Sequence, residues 1–157
     1  MTTPATSLQL GEAEREWLGA ETTAFIDSIA EPVTQARYSA LLSAIQDGEV
    51  REEHVDALER LLEVTLASGR VRHRYGPAGE QALTRLYHQT PRGAHRMSQM
   101  REVNAALTAL RGQVIDEIVF APRAPGEFTL TLDTDRCQLT IRISRTNIQV
   151  ENVAIGI

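Results

Sequence analysis

The chain has 157 residues, is 42% hydrophobic and 24% charged, and carries a net charge of −5. A chain of this size and composition folds around a core of its own rather than staying disordered, and its apolar runs are far shorter than the roughly 18 residues that span a bilayer. Its single cysteine, Cys137, excludes an internal disulfide, and its 16 basic residues are all arginine, which excludes a lysine P-loop, a Schiff-base enzyme and a lysine nucleophile.

Residues 1–10 have neither the basic start nor the apolar run of a signal peptide and read as a short flexible tail. Residues 11–157 read as a single α+β domain, with about five helices over 11–112 and a four-stranded antiparallel β-meander over 113–157, packed against helix five. The first helix is expected over 12–29. Glu12, Glu14 and Glu16 lie near its start, where negative charge suits the helix dipole, and Trp17, Leu18, Phe25, Ile26 and Ile29 form its apolar face. Pro32 starts a second helix, because proline has no N–H to lose at the first helical position. That helix offers Val33, Ala36, Leu41, Leu42 and Ile45 to the core and stops near Gly48.

A third helix over 51–67 carries the stripe Val55, Leu58, Leu61, Leu62 and Leu66, and Gly69 is its left-handed cap. A loop then leads to Gly76-Pro77, which opens a short fourth helix bearing Leu83, Leu86 and Tyr87. Thr90-Pro91 closes it, since the residue before proline is pushed out of helical geometry. In helix five Met97, Met100, Val103, Leu107 and Leu110 recur at helical spacing before Gly112. Met97, Met100 and Trp17 are assigned to the core, and helix five with the sheet is expected to form the main one.

After Gly112 the apolar period falls from about 3.6 to 2. Val114, Ile118 and Phe120 mark a first strand, and Phe128, Leu130 and Leu132 a second. Cys137, Leu139, Ile141 and Ile143 mark a third, with Cys137 in phase as a small core residue; Ile148 and Val150 begin the last. The step to Val153, Ile155 and Ile157 is odd-numbered, which predicts a bulge near Asn152. Little charge follows Glu151, so this apolar edge must be covered internally or pair with a second subunit as a homodimer.

Charge is unevenly spread. Residues 1–69 hold 13 acids against 4 arginines, residues 70–101 hold 7 arginines against Glu80 alone, and residues 102–157 hold 7 acids against 5 arginines. The middle third is a basic island in an acidic chain. It contains Arg70, Arg72, His73, Arg74, Arg85, His88, Arg92, His95, Arg96 and Arg101. A guanidinium fork suits phosphate or carboxylate, and Gly76, Ala78 and Gly79 around Pro77 offer backbone amides at a helix start as a candidate phosphate loop.

Two readings of the island follow. The arginines neutralise the acidic helices through internal ion pairs, as surface charge runs commonly do, or they hold an anion from outside. Among outside anions an acidic protein face ranks first and a small phosphorylated ligand second. Nucleic acid is third: the chain is acidic, no helix-turn-helix, zinc-finger or RNA-binding signature occurs, and the acidic first third repels phosphate. His88 and His95 flank Pro91 without HExxH or i, i+4 spacing, so no metal or other cofactor is expected. No G-x-S-x-G elbow exists, and Glu52-Glu53 and Asp133/Asp135 fit a solvated helix start and a turn. The expectation is a cytoplasmic, non-enzymatic interaction or regulatory protein that grips an acidic partner through residues 70–101. A binding module or enzyme for a small phosphorylated ligand is the alternative, with no role at a membrane.

Overall fold

The computed structural model describes residues 7–155, and these form five helices followed by a four-stranded antiparallel sheet, with one additional two-residue ladder. The chain divides into two compact units, one ending at Gly93 and the other starting at Ala94.

The first unit is helical: α1 (Glu12–Ser28), α2 (Pro32–Asp47), α3 (Glu52–Ala67) and α4 (Arg70–Gln89). At the starts of α1 and α2 side chains satisfy N–H groups that a helix start leaves unpaired. Gly11 N–H donates to the Glu14 carboxylate at 2.9 Å ahead of α1. Glu31 accepts from the Val33 and Thr34 N–H groups at 3.1 and 2.8 Å ahead of α2, with Pro32 first in the helix as expected. Gly48 ends α2 at φ 83°, a conformation that costs glycine alone nothing. The core gathers Leu18 from α1, Leu41 and Ile45 from α2, Leu58, Leu61 and Leu62 from α3, and Leu83 and Leu86 from α4.

The last part of the supposed tail is a strand, β1 (Leu8–Gln9), paired antiparallel with β2 (Glu49–Val50). Leu8 is only 6% exposed, because its side chain joins the helical core; residues 1–6 lie outside the described residues. On α2 the buried stripe is Tyr38, Leu41 and Ile45 at i, i+3 and i+7, while Val33 and Ala36 lie off that face and are exposed. The stretch 70–75 is helical rather than loop: Val71 and Tyr75, four apart, turn one side to the core. Gly76 (φ 69°, ψ −173°) then breaks α4, and Pro77 starts its second segment at the expected place.

The second unit comprises α5 (Pro91–Thr108) from Ala94 onward and the meander β3 (Ile115–Ala124), β4 (Glu127–Thr134), β5 (Cys137–Ser144) and β6 (Ile148–Ile155), in the order β3-β4-β5-β6. Its register sets apolar rows across all four strands. Phe120 faces Leu130, Leu130 faces Ile141, and Ile141 faces Val150; a second row runs Ile118, Leu132, Leu139, Val153. The expected odd step is present, because the ladder jumps from Asn152 to Val150 and leaves Glu151 without a partner residue on β5. Val103 and Leu110 pack with Leu132, Cys137, Leu139 and Ile141, so helix five does cover the sheet. This core is the smaller one, contrary to expectation, because a single helix feeds it. Met97 and Met100, expected inside, are exposed.

Gly93 is the tightest position of the helical unit. A Cβ there would stand 1.8 Å from the Tyr87 carbonyl oxygen, a backbone atom that cannot rotate aside. Gly93→Ala is therefore expected to cost about 3 kcal/mol or more, at or beyond the usual range for overpacking. Urea denaturation reads this directly, and an unchanged midpoint would contradict the packing described.

Candidate interaction surface

The arginine island is largely engaged inside the helical unit. Glu21 on α1 is 2% exposed, and a carboxylate buried that deeply requires donors. It receives the Tyr75 hydroxyl at 2.9 Å, Arg74 Nη1 at 3.4 Å and Arg70 Nε at 3.5 Å. Arg72 pairs with Glu80 at 3.4 Å. Arg92 meets three acids of α3: Asp56 through Nη2, Glu59 through Nε at 3.2 Å, and Glu63 through Nη1 at 3.6 Å. The Arg92 backbone N–H also donates to Glu59 at 2.7 Å, and the Thr90 hydroxyl accepts from Gly93 N–H at 3.2 Å. Glu59 and Thr90 thus satisfy the first amides of α5, and Arg92 is an anchor for the helical unit.

The remaining island residues are divided between the two units. Arg85, His73 and His88 are exposed on α4. His95, Arg96 and Arg101 fall in the other unit, where His95 Nε2 lies 3.0 Å from Gln99 Nε2. In the candidate phosphate loop Ala78 is exposed and Gly76 is the kink, whereas Gly79 is buried. A Cβ on Gly79 would stand 2.4 Å from Tyr75 Cβ, so packing alone accounts for the glycine there.

These pairs shift two titrations. Burial, followed by the hydrogen bond to Glu21 and that carboxylate's charge, pushes the Tyr75 phenol up to about 12. The hydrogen bond from Arg37 holds the Asp56 carboxyl below its ordinary value, with Arg60 and Arg92 adding in the same direction against burial.

The larger unsatisfied surface is on the sheet unit. Ile118 is 59% and Phe120 60% exposed, although both belong to the apolar rows that α5 covers further along. Phe120 stacks on Phe128 with ring centroids 5.3 Å apart and planes 12° from parallel. On α5, Met97, Met100 and Leu107 are exposed, and their spacing puts them along one flank of the helix. The free edge of β3 is blunted: Pro122 has no N–H to offer, and the ladder to β4 skips Asp116 and Arg123. The apolar face beside that edge is not protected in this way. Met97 and Met100, expected in the core from their helical spacing, are left outside because one helix covers only part of four strands.

A cleft of about 190 Å³ in the same unit is lined by Arg96, Gln99, Met100 and residues 144–148. Gln99 Oε1 and Asn147 Oδ1 are buried there without a hydrogen-bond donor. Among the described residues no group of three histidine, cysteine or acidic side chains could hold a metal ion, and no helix is long and apolar enough to cross a membrane. No known family model, curated protein or solved structure matches the chain.

The titration shifts have opposite consequences at the two ends of the pH scale. Above pH 10 the unfolded chain gives up the tyrosine proton that folded Tyr75 keeps to about 12, so stability falls as pH rises through that window. With no lysine in the chain, tyrosine governs this limb, and Tyr75→Phe is expected to flatten it. At acid pH the stabilisation from Asp56 is lost as pH falls through its lowered folded value, and Asp56→Asn removes that component. Urea midpoints measured against pH check both; an alkaline decline of the same size in Tyr75→Phe would refute the first.

Proposed function

We propose that the chain is a non-enzymatic protein-interaction module whose working surface is the apolar face of its sheet unit, centred on Ile118, Phe120 and Phe128. The observation that carries this reading is the exposure of Phe120, stacked on Phe128, on a face whose middle strands bury Leu132, Leu139 and Ile141. A folded protein rarely leaves so large a contiguous apolar surface in water unless something binds it. An acidic partner, the leading expectation from the arginine island, is a weaker part of this reading. Arg70, Arg72, Arg74 and Arg92 already have carboxylate partners, whereas the exposed Arg85 and Arg101 form no ion pair among the described residues. Phe120→Asp is expected to abolish protein capture while leaving the thermal midpoint unchanged or higher, since it removes an exposed apolar side chain. Undiminished capture by this folded variant would sink the reading.

A second reading rests on the 190 Å³ cleft. Arg145 supplies a cation, and Gln99 and Asn147 supply acceptors without donors, so the cleft suits a small ligand carrying both an anionic group and a hydroxyl. A protonated phosphate supplies both. Inorganic phosphate is expected to raise the melting temperature of the native chain but not of Arg145→Ala. Equal shifts in the two would mean that phosphate acts through general salt effects.

A further inference from the structure

We infer that the occupant of the apolar sheet face is a second copy of this chain, joined so that the α5 flank of each copy covers the β3 strip of the other. This rests on the interaction reading above and identifies its partner.

Three features of the sheet unit lead to a second copy. First, besides Val153 and Ile155 on β6, the unit exposes two apolar strips of different shape, the helical strip Met97, Met100, Leu107 and the strand strip Ile118, Phe120, Phe128. A single foreign partner has to match both, whereas a two-fold contact covers both twice with surfaces the chain already has. Second, their charged borders are opposite. Arg101 lies four residues beyond Met97 and Arg111 just past the end of α5, while Asp116, the residue the ladder skips, stands two before Ile118. All three are exposed and none forms an ion pair among the described residues. A helical strip bordered by arginine and a strand strip bordered by carboxylate are complementary, and in a two-fold pair each contact occurs twice. Third, edge-to-edge joining through β3 is disfavoured by Pro122 and by the skipped residues Asp116 and Arg123, so a contact at this strand is face-on. The combined strips, with Val114 and Ile115 beside them, are of the order of the ~800 Å² per partner that a stable interface buries.

Sedimentation velocity over a concentration series tests this on the full chain. The native protein is expected to be a dimer, and Phe120→Asp a monomer with an unchanged far-ultraviolet spectrum. One variant joining Arg101→Glu to Arg111→Glu, and another carrying Asp116→Arg, should each dissociate at least about tenfold more readily, through like-charge repulsion. Mixed together they should form heterodimers, because helical and strand borders are then opposite in both contacts. Recovery on mixing supports this arrangement over any dimer built elsewhere. A native monomer at all concentrations whose protein capture still depends on Phe120 overturns the second copy and leaves the interaction reading standing. A dimer indifferent to Phe120→Asp and to the charge variants overturns the placement, and a monomer without Phe120-dependent capture overturns both.

Discussion

Four adjacent strands are roughly 19 Å across, and one helix with its side chains covers about 10–12 Å. In residues 94–155 the sheet has four strands and the unit has one helix, so α5 covers part of each apolar row and leaves the rest bare. The distribution of burial follows. Leu132, Leu139 and Ile141 on the middle strands are buried with Val103 and Leu110, whereas Ile118 and Phe120 on β3 and Val153 on β6 lie at the ends of the same rows and are exposed. The register is pinned by the buried middle, because a one-residue slip would turn every apolar side chain to the polar face. The outer members then have no freedom to turn inward: holding Leu130 and Leu132 inside also holds Phe120 and Ile118 on the uncovered margin.

The helical unit solves the opposite problem, an excess of negative charge. Its acids are not simply left in water. Glu21 and Glu59 are buried, at 2% and 4% exposure, and each is met by a guanidinium from the arginine-rich stretch. Removing one member of such a pair leaves a buried charge uncompensated, so the arginines concerned are tied to the fold. Exposed pairs such as Arg72 with Glu80 contribute far less. A charge run in a sequence therefore divides into residues held by buried carboxylates and residues that remain outside. Only the second group is free to meet anything else.

How much of this was legible in the sequence depends on the range of the interaction. Local chemistry was read correctly: Pro32 and Thr90-Pro91 bound their helices, Gly48 ends α2 with positive φ, and the odd apolar step near Asn152 is the irregularity at Glu151. The helical turn over 70–75 was hidden because Val71 and Tyr75 are its only apolar residues among arginines, too few to show a period. The pairing of Arg74 with Glu21 joins residues 53 apart, and no local pattern encodes it. For the sheet, alternation correctly identified which residues share a face. It could not say whether that face is covered, since coverage depends on how many elements pack there.

That distinction bears on what the blunted edge of β3 means. Alternating apolar residues at the end of a sheet would ordinarily invite strand addition, and the backbone of β3 resists it through Pro122 and two irregularities. A protein that merely tolerated an unfinished sheet would have no reason to obstruct one mode of association and leave the other open. Obstructing the edge while leaving Ile118, Phe120 and Phe128 bare on the face restricts the ways in which anything can approach. Strand-by-strand growth from β3, which is open-ended and leads to aggregation, is disfavoured. Face-on packing, which buries side chains once and then stops, is retained. Charge at the centre of an apolar contact would have to be desolvated, whereas charge at its rim sets register and orientation while still hydrated.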